Sequence, residues 1–446
     1  MLALAEIPPA ADGETTLTWM VSPRWRLVVA AVLTVSLITS GCSSPTPGSY
    51  SPGDDIQTLP RIAWEGGPGY WARFANASNW TDPRFFPIGL WYGEVSNADH
   101  ARSDKAAGLT FYTGGLWEET DFAALQESEM YWVGGRVNAS FDDRSRYWPG
   151  ILLDDEVDGR FTPPAEGFAH LEGLKNSMAT GRQFLYANFT NMVVGPELSY
   201  ADRLRYVNTF ADVVSLDMYF YTVPFCDAGD AYRGHLYDGR IPESTCRTAS
   251  SYGKFVKALR NLDARDDNLM PIWNFVEVMS GANDDGAFTR YMEPEEIRGA
   301  AMSSLINEAR GIVWFQQSLG GPCKSTQPVR QAQELGEAFC GFRQVEAMTQ
   351  VNNQILELAP VLNTQSLRWH AADESQTMLK VHDGQAYLFA MTDGGTGRRS
   401  FVLPDGLGDT ATLVHEGRTV GIIDGRLTDE FPSESTYHIY RIDLTG

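Results

Sequence analysis

One apolar run in this sequence ends in a group of carboxylates. The stretch "ILLDDEVDG" (151–159) carries Asp154, Asp155, Glu156 and Asp158. Another carboxylate, Glu277, lies near the end of the otherwise apolar or neutral stretch "PIWNFVEV" (271–278). Two carboxylates whose environments separate their pKa values can divide acid and base work between them. The chemistry therefore depends on the elements that bring the two stretches together.

Short apolar strands alternate with amphipathic helical segments over residues 82–320. Such alternation indicates a parallel sheet, and eight near-continuous apolar strands predict a closed (β/α)8 TIM barrel, an α/β fold. An open doubly wound sheet is the alternative, but no GxGxxG motif follows the first strand. The predicted strands are 85–93, 108–114, 130–135, 150–156, 183–189, 211–221, 269–278 and 311–318.

The pattern changes after the barrel. From about residue 365, short alternating strands separated by Gly and Asp turns predict a small antiparallel β-sandwich domain. We expect the barrel to span 58–360 and the sandwich to span 361–446.

The C-terminal ends of the strands form the active-site face of such a barrel. Both acidic stretches end there, on the fourth and seventh strands. Because side chains alternate along a strand, we expect Asp154 on the face of Glu156 and Asp155 on the opposite face. Further polar and aromatic residues at the mouth are predicted to bind substrate or to tune the carboxylates. These are Asn188, Asp217, Tyr219, Tyr221, Trp91, Trp314 and Gln316.

A mouth with two carboxylates is suited to the cleavage of glycosidic bonds. One carboxyl must protonate the leaving oxygen, and the other must be ionised to attack the anomeric carbon. Retaining enzymes hold the pair about 5–5.5 Å apart, and inverting enzymes roughly 6.5–9.5 Å apart. Asp154 or Asp155 would keep Glu156 protonated by charge repulsion. Tyr219 or Tyr221 would donate a hydrogen bond to Glu277 and keep it ionised.

Taken together, the motifs resemble the clan-A type of (β/α)8-barrel glycoside hydrolase. The resemblance is carried by "DDEVDG", "MPIWNFVEV", "EPEEIRGAAMSSLINEARGIVWFQQS" and the closing "LTDEFPSESTYHIYRIDL". It implies that Glu156 is the general acid/base, that Glu277 is the nucleophile, that configuration is retained and that no cofactor is needed. One departure is Val157, which stands where the family pattern has proline after the glutamate.

The same residues allow other interpretations. Chitinase-like barrels carry a D-x-E motif on strand four, which Asp154 and Glu156 match, and they need no strand-seven carboxylate. The preceding Asp of that longer motif is Leu152 here. A glycan-binding protein without catalysis, or a structural wall protein, is the non-enzyme interpretation. The acidic stretch also fits a solvated loop or a Ca²⁺ site, but it lacks the DxDxDG pattern, so no metal is predicted.

Individual residues also allow purely structural interpretations. Glu277 would serve equally as a structural ion-pair partner, and Asn188 as a cap of the next segment. The tryptophans are as consistent with core packing as with sugar stacking; they are Trp91, Trp117, Trp132 and Trp314.

The N-terminus resembles a bacterial lipoprotein signal. Arg24 and Arg26 precede the apolar run 27–38, and "LITSGC" resembles a lipobox that ends at Cys42. We expect a signal segment over 1–41 with its true start at Met20, and a lipidated Cys42 with a flexible tether over 42–57. This predicts export and a lipid anchor on the outer face of the bacterial cell membrane. Secretion after ordinary signal cleavage is the alternative.

Composition narrows the partners and the compartment. Beyond Cys42, the cysteines form two local pairs, Cys226 with Cys246 and Cys323 with Cys340, which predict two disulfides in an exported chain. No CxxC spacing suggests zinc. A formal net charge of −22 argues against nucleic acid or anionic lipid as the main partner. Carbohydrate is therefore the predicted partner, and the membrane is reached only through the lipid anchor.

Overall fold

The computed structural model describes residues 53–229, 232–282, 290–369 and 374–445. The predicted signal segment, Met20, Cys42 and most of the predicted tether lie outside these residues. Within the described part of the chain, no helix combines the length and the apolar character needed to cross a bilayer.

Eight parallel strands close into a barrel, which confirms the predicted (β/α)8 fold. Around the barrel the strands follow one another in chain order, and the first pairs with the last through Ile88 opposite Ile312. The barrel strands are β1 Ile88–Gly93, β2 Phe111–Leu116, β3 Tyr131–Val133, β4 Gly150–Asp155, β5 Phe184–Phe189, β6 Val213–Leu216, β9 Ile272–Glu277 and β10 Ile312–Phe315. Between β6 and β9 lies a small hairpin of β7 His235–Leu236 and β8 Gly239–Arg240.

Helices follow the strands and begin at recognisable caps. Asn97 and Ser199 accept a backbone N–H at two of these starts, and Glu293 and Glu296 form a capping box at a third. The helices are α1 Pro68–Trp71, α2 Ala98–Ala106, α3 Phe122–Ser128, α4 Val157–Arg160, α5 Pro164–Met178, α6 Tyr200–Thr209, α7 Glu243–Cys246, α8 Ser250–Asp263, α9 Pro294–Ile306, α10 Pro328–Leu335, α11 Phe342–Glu357 and α12 Ala359–Leu362.

Aromatic rings fill the N-terminal end of the barrel. Trp273 lies 4.9 Å from Phe111 and 4.8 Å from Tyr186 between ring centroids, and Trp80 lies 5.3 Å from Phe184. These rings come from the first half of their strands or from the segment below them. The bottom of the barrel is therefore packed with aromatic rings, and an active site is expected at the opposite, C-terminal mouth.

The C-terminal region forms one antiparallel sheet of seven strands, as predicted for the second domain. Its strands, in spatial order, are β11 Ser375–His382, β12 Gln385–Thr392, β17 Tyr437–Leu444, β14 Leu407–Leu413, β15 Thr419–Ile423, β16 Arg426–Phe431 and β13 Gly397–Val402. The ring of Phe401 on β13 lies 6.4 Å from that of Tyr440 on β17, four strands away in this order. The sheet therefore folds over on itself in a sandwich-like arrangement around a core of its own.

Residues before the barrel pack on this sheet domain. Ile56 is buried in the core of the sheet domain together with Leu59, and its backbone N–H donates to Asp405 O at 2.9 Å. The predicted tether through residue 57 is therefore too long, since its last residues are part of the fold. A tether has no apolar anchor, whereas Ile56 provides one.

Both predicted disulfides are confirmed. Cys226 is bonded to Cys246, and Cys323 to Cys340. The first closes the loop that leads from β6 to α8, and the second closes the loop that follows β10.

Candidate active site

A β-bulge at the end of β4 decides where its carboxylates point. In the pairing of β4 with β5, Leu152 lies opposite Tyr186, but Asp155 lies opposite Asn188, so β4 has one extra residue. Asn188 is on the inward face with Tyr186, and its Nδ2 donates to Asp155 Oδ1 at 2.8 Å. Asp155 therefore faces the inside of the barrel.

Asp154 turns the other way. Its Oδ2 lies 2.5 Å from Arg160 Nη2 and 2.6 Å from His170 Nε2, both on the helices that follow the strand. Burial opposes ionisation, but the Asp155 N–H and these two partners lower the pKa of Asp154 below its usual value. The expectation that Asp154 shares the mouth with Glu156 while Asp155 does not is wrong, because the bulge reverses the alternation.

Glu156 and Asp217 form a pair of adjacent carboxyls. Glu156 follows the bulge with a φ of 52°, in the left-handed region, and lies near Asp217, which comes directly after β6. Burial and the nearby charges of Glu156 and Asp155 raise the pKa of Asp217 well above its usual range. Asp217 therefore keeps its proton to a higher pH than an ordinary aspartic acid does.

The pKa values of two neighbouring carboxyls, Asp155 and Asp158, are also raised towards neutral pH. Burial raises the pKa of Asp155 to about 6, against the hydrogen bond from Asn188. Burial likewise raises the pKa of Asp158 to about 7, although Thr190 donates to it from its N–H at 3.0 Å and its hydroxyl at 2.7 Å. Like charges in a small buried volume favour retained protons. Asp155 and Asp158 therefore titrate closer to neutral pH than ordinary aspartic acids do.

Glu277, at the end of β9, has a different environment. It is 0% exposed, and the hydroxyl of Tyr252 donates to its Oε1 at 2.8 Å and its Oε2 at 2.7 Å. Thr222 Oγ1 donates to Oε1 at 3.3 Å. Burial raises the pKa of Glu277 to about 7, and these donors oppose the rise. Glu277 is therefore a single enclosed carboxyl, supported by donors, that ionises near neutral pH.

Tyr219 connects the two acidic regions. Burial raises its pKa well above the usual range, and the charges of Asp217, Asp155, Glu277 and Glu156 raise it further. Its ring packs on Phe315 of β10 at 4.8 Å between centroids. Tyr219 therefore lies within electrostatic reach of both regions.

The predicted donor to Glu277 is wrong, because the β6 strand stops at Leu216 and alternation does not extend to Tyr221. The hydroxyl of Tyr221 donates to Glu434 at 2.6 Å, whereas Tyr252 donates to Glu277. Sequence reasoning missed Tyr252 because it lies on a helix rather than on a strand. Its only signal was its place in the first turn of α8, which begins at the mouth.

Two residues predicted for the mouth lie elsewhere. Trp314 is fully buried, and its Nε1 donates to Asn352 of α11 at 2.8 Å, so its ring packs between the barrel and a helix. Gln316 is also buried, and its Nε2 donates to the carbonyl of Tyr92 at 2.8 Å. They share a face, as predicted, but that face points outward.

The aromatic rim of the mouth is formed by the ends of β1 and β2. Trp91 is 6% exposed and packs on Phe275 at 5.3 Å between ring centroids. Tyr92 is 44% exposed, and the charge of Asp155 adds to burial in raising its pKa. Trp117, just after β2, is 45% exposed, whereas Trp132 is core. Tyr92, which sequence reasoning missed, and Trp117 present accessible rings of the kind that stack on sugars.

Across 53–229, 232–282, 290–369 and 374–445, no group of three or more His, Cys, Asp or Glu side chains is arranged to hold a metal ion.

No family model and no curated protein sequence matches this chain. Among solved structures it is similar to a family 51 α-L-arabinofuranosidase from Bifidobacterium longum, with a TM-score of 0.46, 12% identity, and coverage of 81% of this chain and 96% of that one. It is also similar to a GH30 endoxylanase from Clostridium papyrosolvens, with a TM-score of 0.42, 10% identity, and coverage of 81% and 97%. For α-L-fucosidase isoenzyme 1 from Paenibacillus thiaminolyticus the TM-score is 0.39, the identity 9% and the coverage 85% and 100%. At these identities none of them assigns an activity, and the function is argued from the site.

Proposed function

We propose that the barrel mouth hydrolyses glycosidic bonds, with Glu156 as general acid/base and Glu277 as nucleophile. One observation carries the proposal. Two carboxyls stand at the C-terminal ends of barrel strands: Glu156 directly follows β4 and lies near Asp217, and Glu277 ends β9 and accepts a hydrogen bond from the hydroxyl of Tyr252. Glycoside hydrolysis by two carboxylates needs one group that keeps a proton and one that loses it.

The reaction follows from these states. Glu156 transfers its proton to the glycosidic oxygen while ionised Glu277 attacks the anomeric carbon, which breaks the C–O bond and forms a glycosyl ester. Glu156, now ionised, then takes a proton from water, and the water oxygen displaces Glu277. Asp217, whose own pKa is raised well above its usual range by burial and nearby charges, lies near Glu156, and Tyr252 stabilises the charged state of Glu277. Because Glu277 is 0% exposed, the sugar reaches it only after a covering side chain has moved.

A second candidate is glycan binding without cleavage. The observation that favours it is the 0% exposure of Glu277, which suits a structural carboxyl held by Tyr252. The substrate-assisted alternative is not favoured in the form that uses Asp154, because that carboxylate is engaged by Arg160 and His170 on the helix side of the strand.

We also propose that the protein acts outside the cytoplasm, anchored through Cys42 or secreted. Two disulfides in one chain support this, because such bonds persist in oxidising compartments. Accessible glycan would be the partner there.

The test is hydrolysis of a panel of aryl pyranosides, aryl furanosides and polysaccharides by the parent, Glu156→Gln, Glu277→Gln and Asp154→Asn. We expect turnover by the parent that falls by about 10³-fold or more in the first two variants, because each removes a reacting group. Asp154→Asn should stay within about threefold, since its carboxylate points away.

Other outcomes separate the alternatives. Turnover that survives Glu277→Gln would remove this residue as nucleophile. A large loss in Asp154→Asn would favour the substrate-assisted mechanism. Sugar binding without turnover, equal in the parent and in Glu277→Gln, would establish the second candidate.

A further inference from the structure

A turn of the sheet domain reaches the rim of the barrel mouth. Glu434, between β16 and β17, accepts a hydrogen bond from the Tyr221 hydroxyl on Oε1 at 2.6 Å and from the Ala249 N–H on Oε2 at 2.8 Å. The turn lies close against α9, since a Cβ on Gly299 would be 2.7 Å from the carbonyl oxygen of Ser435. Glu434 thus joins the loop after β6 to the start of α8.

Tyr221 links Glu434 to Tyr252 at the mouth. Its backbone N–H donates to the Tyr252 hydroxyl at 3.4 Å, and its ring stacks on that of Tyr252 at 5.8 Å between centroids. Tyr252 in turn donates to both oxygens of Glu277. A hydroxyl has one hydrogen, so an N–H on its acceptor side directs that hydrogen towards the carboxylate.

The barrel supports the same loop from the other side. Arg247 Nη1 donates to the carbonyls of Phe220 at 2.9 Å, Tyr221 at 3.0 Å and Val223 at 3.0 Å. The disulfide between Cys226 and Cys246 closes the loop behind them. The backbone of Tyr221 is therefore fixed by the barrel, and its side chain is fixed by Glu434.

We infer that Glu434 is a positioning residue for Glu277, which makes the sheet domain a part of the active centre. It acts through Tyr221 and Tyr252 and touches neither Glu277 nor the substrate. Its catalytic meaning rests on the proposed function of the mouth, whereas its effect on the Tyr252–Glu277 contact does not.

Removal of Glu434 should shift the pKa of Glu277 in one direction if Glu434 acts only through its charge, and in the other direction if it positions Tyr252. The groups that face Glu277 are Tyr219, Thr222 and Tyr252, and behind Tyr221 lies Arg290, paired with Glu296. If Glu434 acted only as a negative charge, its loss would lower the pKa of Glu277. If it positions Tyr252, its loss removes a donor to the carboxylate and raises that pKa. The direction of the shift therefore decides between the two.

The experiment compares Glu434→Ala and Tyr221→Phe with the control Tyr437→Phe. Tyr437 donates to Gln354 at 2.6 Å across the same domain junction, so the control loses a matched hydrogen bond that does not lead to Glu277. In the first two variants we expect kcat to fall about tenfold, the size of one lost hydrogen bond, with KM nearly unchanged. The acid limb of kcat/KM should move to higher pH. Glu434→Gln keeps an acceptor for Tyr221 and should restore most of kcat.

A second readout does not depend on turnover. Infrared difference spectra between each protein and its Glu277→Gln derivative isolate the carboxyl band of Glu277, and its titration gives the pKa. We expect a higher pKa in Glu434→Ala and in Tyr221→Phe than in the parent and in Tyr437→Phe.

An unchanged or lowered pKa in those two variants, or an equal change in Tyr437→Phe, would overturn the inference. A parent protein that hydrolyses no substrate would instead contradict the proposed function, and the infrared titration would still decide the role of Glu434.

Discussion

The ends of β4 and β9 meet at one mouth, yet the carboxyls at the two ends have different neighbours. Asp155 and Glu156 at the end of β4 lie near Asp217, which follows β6, and burial together with their charges raises the pKa of Asp217 well above its usual range. At β9, Glu277 accepts hydrogen bonds from the hydroxyls of Tyr252 and Thr222. Burial raises the pKa at both ends, but nearby charges add to the rise at Asp217, whereas hydroxyl donors oppose it at Glu277. The neighbours of each carboxyl, rather than its residue type, distinguish the two ends.

The largest effect that tests this comparison is the dependence on the leaving group. The substrates are aryl glycosides of the sugar that the parent hydrolyses. On them, kcat/KM of Glu156→Gln should fall about 10³-fold with a poor leaving group and tenfold or less with a good one. Glu277→Gln should lose about 10³-fold or more with both, because the nucleophile is needed for either. Equal losses across leaving groups in Glu156→Gln would remove it as the acid, and the reverse pattern would exchange the two roles.

A single change on the β9 side should move one limb of the pH profile. Tyr252→Phe removes the donor to both oxygens of Glu277, so the pKa rises from about 7 and the ionised nucleophile forms only at higher pH. At pH 6 we expect kcat/KM to fall about 10- to 100-fold, and above pH 8 the loss should shrink. An acid limb that stays in place would show that Tyr252 does not control this carboxyl.

The matching change on the β4 side should move the other limb. Burial and the charges of Glu156 and Asp155 raise the pKa of Asp217 well above its usual range, so its ionisation should contribute to the basic limb of kcat/KM. Asp217→Asn cannot ionise, so that contribution should disappear and the basic limb should move to higher pH. At pH 6 we expect a loss of about tenfold or less. A movement of the acid limb instead would mean that Asp217 serves Glu277.

The smallest effect concerns stability. The folded-state pKa of Glu277, about 7, exceeds its ordinary value of 4.5, so the folded protein keeps a proton that the unfolded chain has lost. The associated stability is fully present below about pH 4.5 and is lost as the pH rises through about 7. Relative to Glu277→Gln, the free energy of unfolding of the parent should fall by up to about 3 kcal/mol between pH 5 and pH 8. Denaturant unfolding of both proteins measures this, and parallel pH curves would contradict it.

The barrel and the two acidic strand ends were predictable, because apolar runs of strand length and their alternation with helices are local features of the sequence. The direction of each carboxylate was not. The extra residue between Leu152 and Asp155 reverses the alternation, and nothing in "ILLDDEVDG" marks it. The early end of β6 likewise removed Tyr221 from the predicted face.

The groups that support Glu277 come from distant parts of the chain. Tyr252 lies on a helix 25 residues before Glu277, and Glu434 meets Tyr221 across 213 residues. Periodicity within one strand carries no information about such contacts, which tertiary packing alone creates. Trp314 was misplaced for a related reason, since alternation groups Trp314 with Gln316 but does not say which face points inward.

The most direct test of the central claim is the anomeric configuration of the first-formed product. With a substrate that the parent hydrolyses, proton NMR in the first minutes distinguishes the two anomers before they equilibrate. Attack by Glu277 followed by attack of water predicts that the product keeps the configuration of the substrate. A product of inverted configuration would contradict the account, because water would then have reached the anomeric carbon directly and Glu277 would not be the nucleophile.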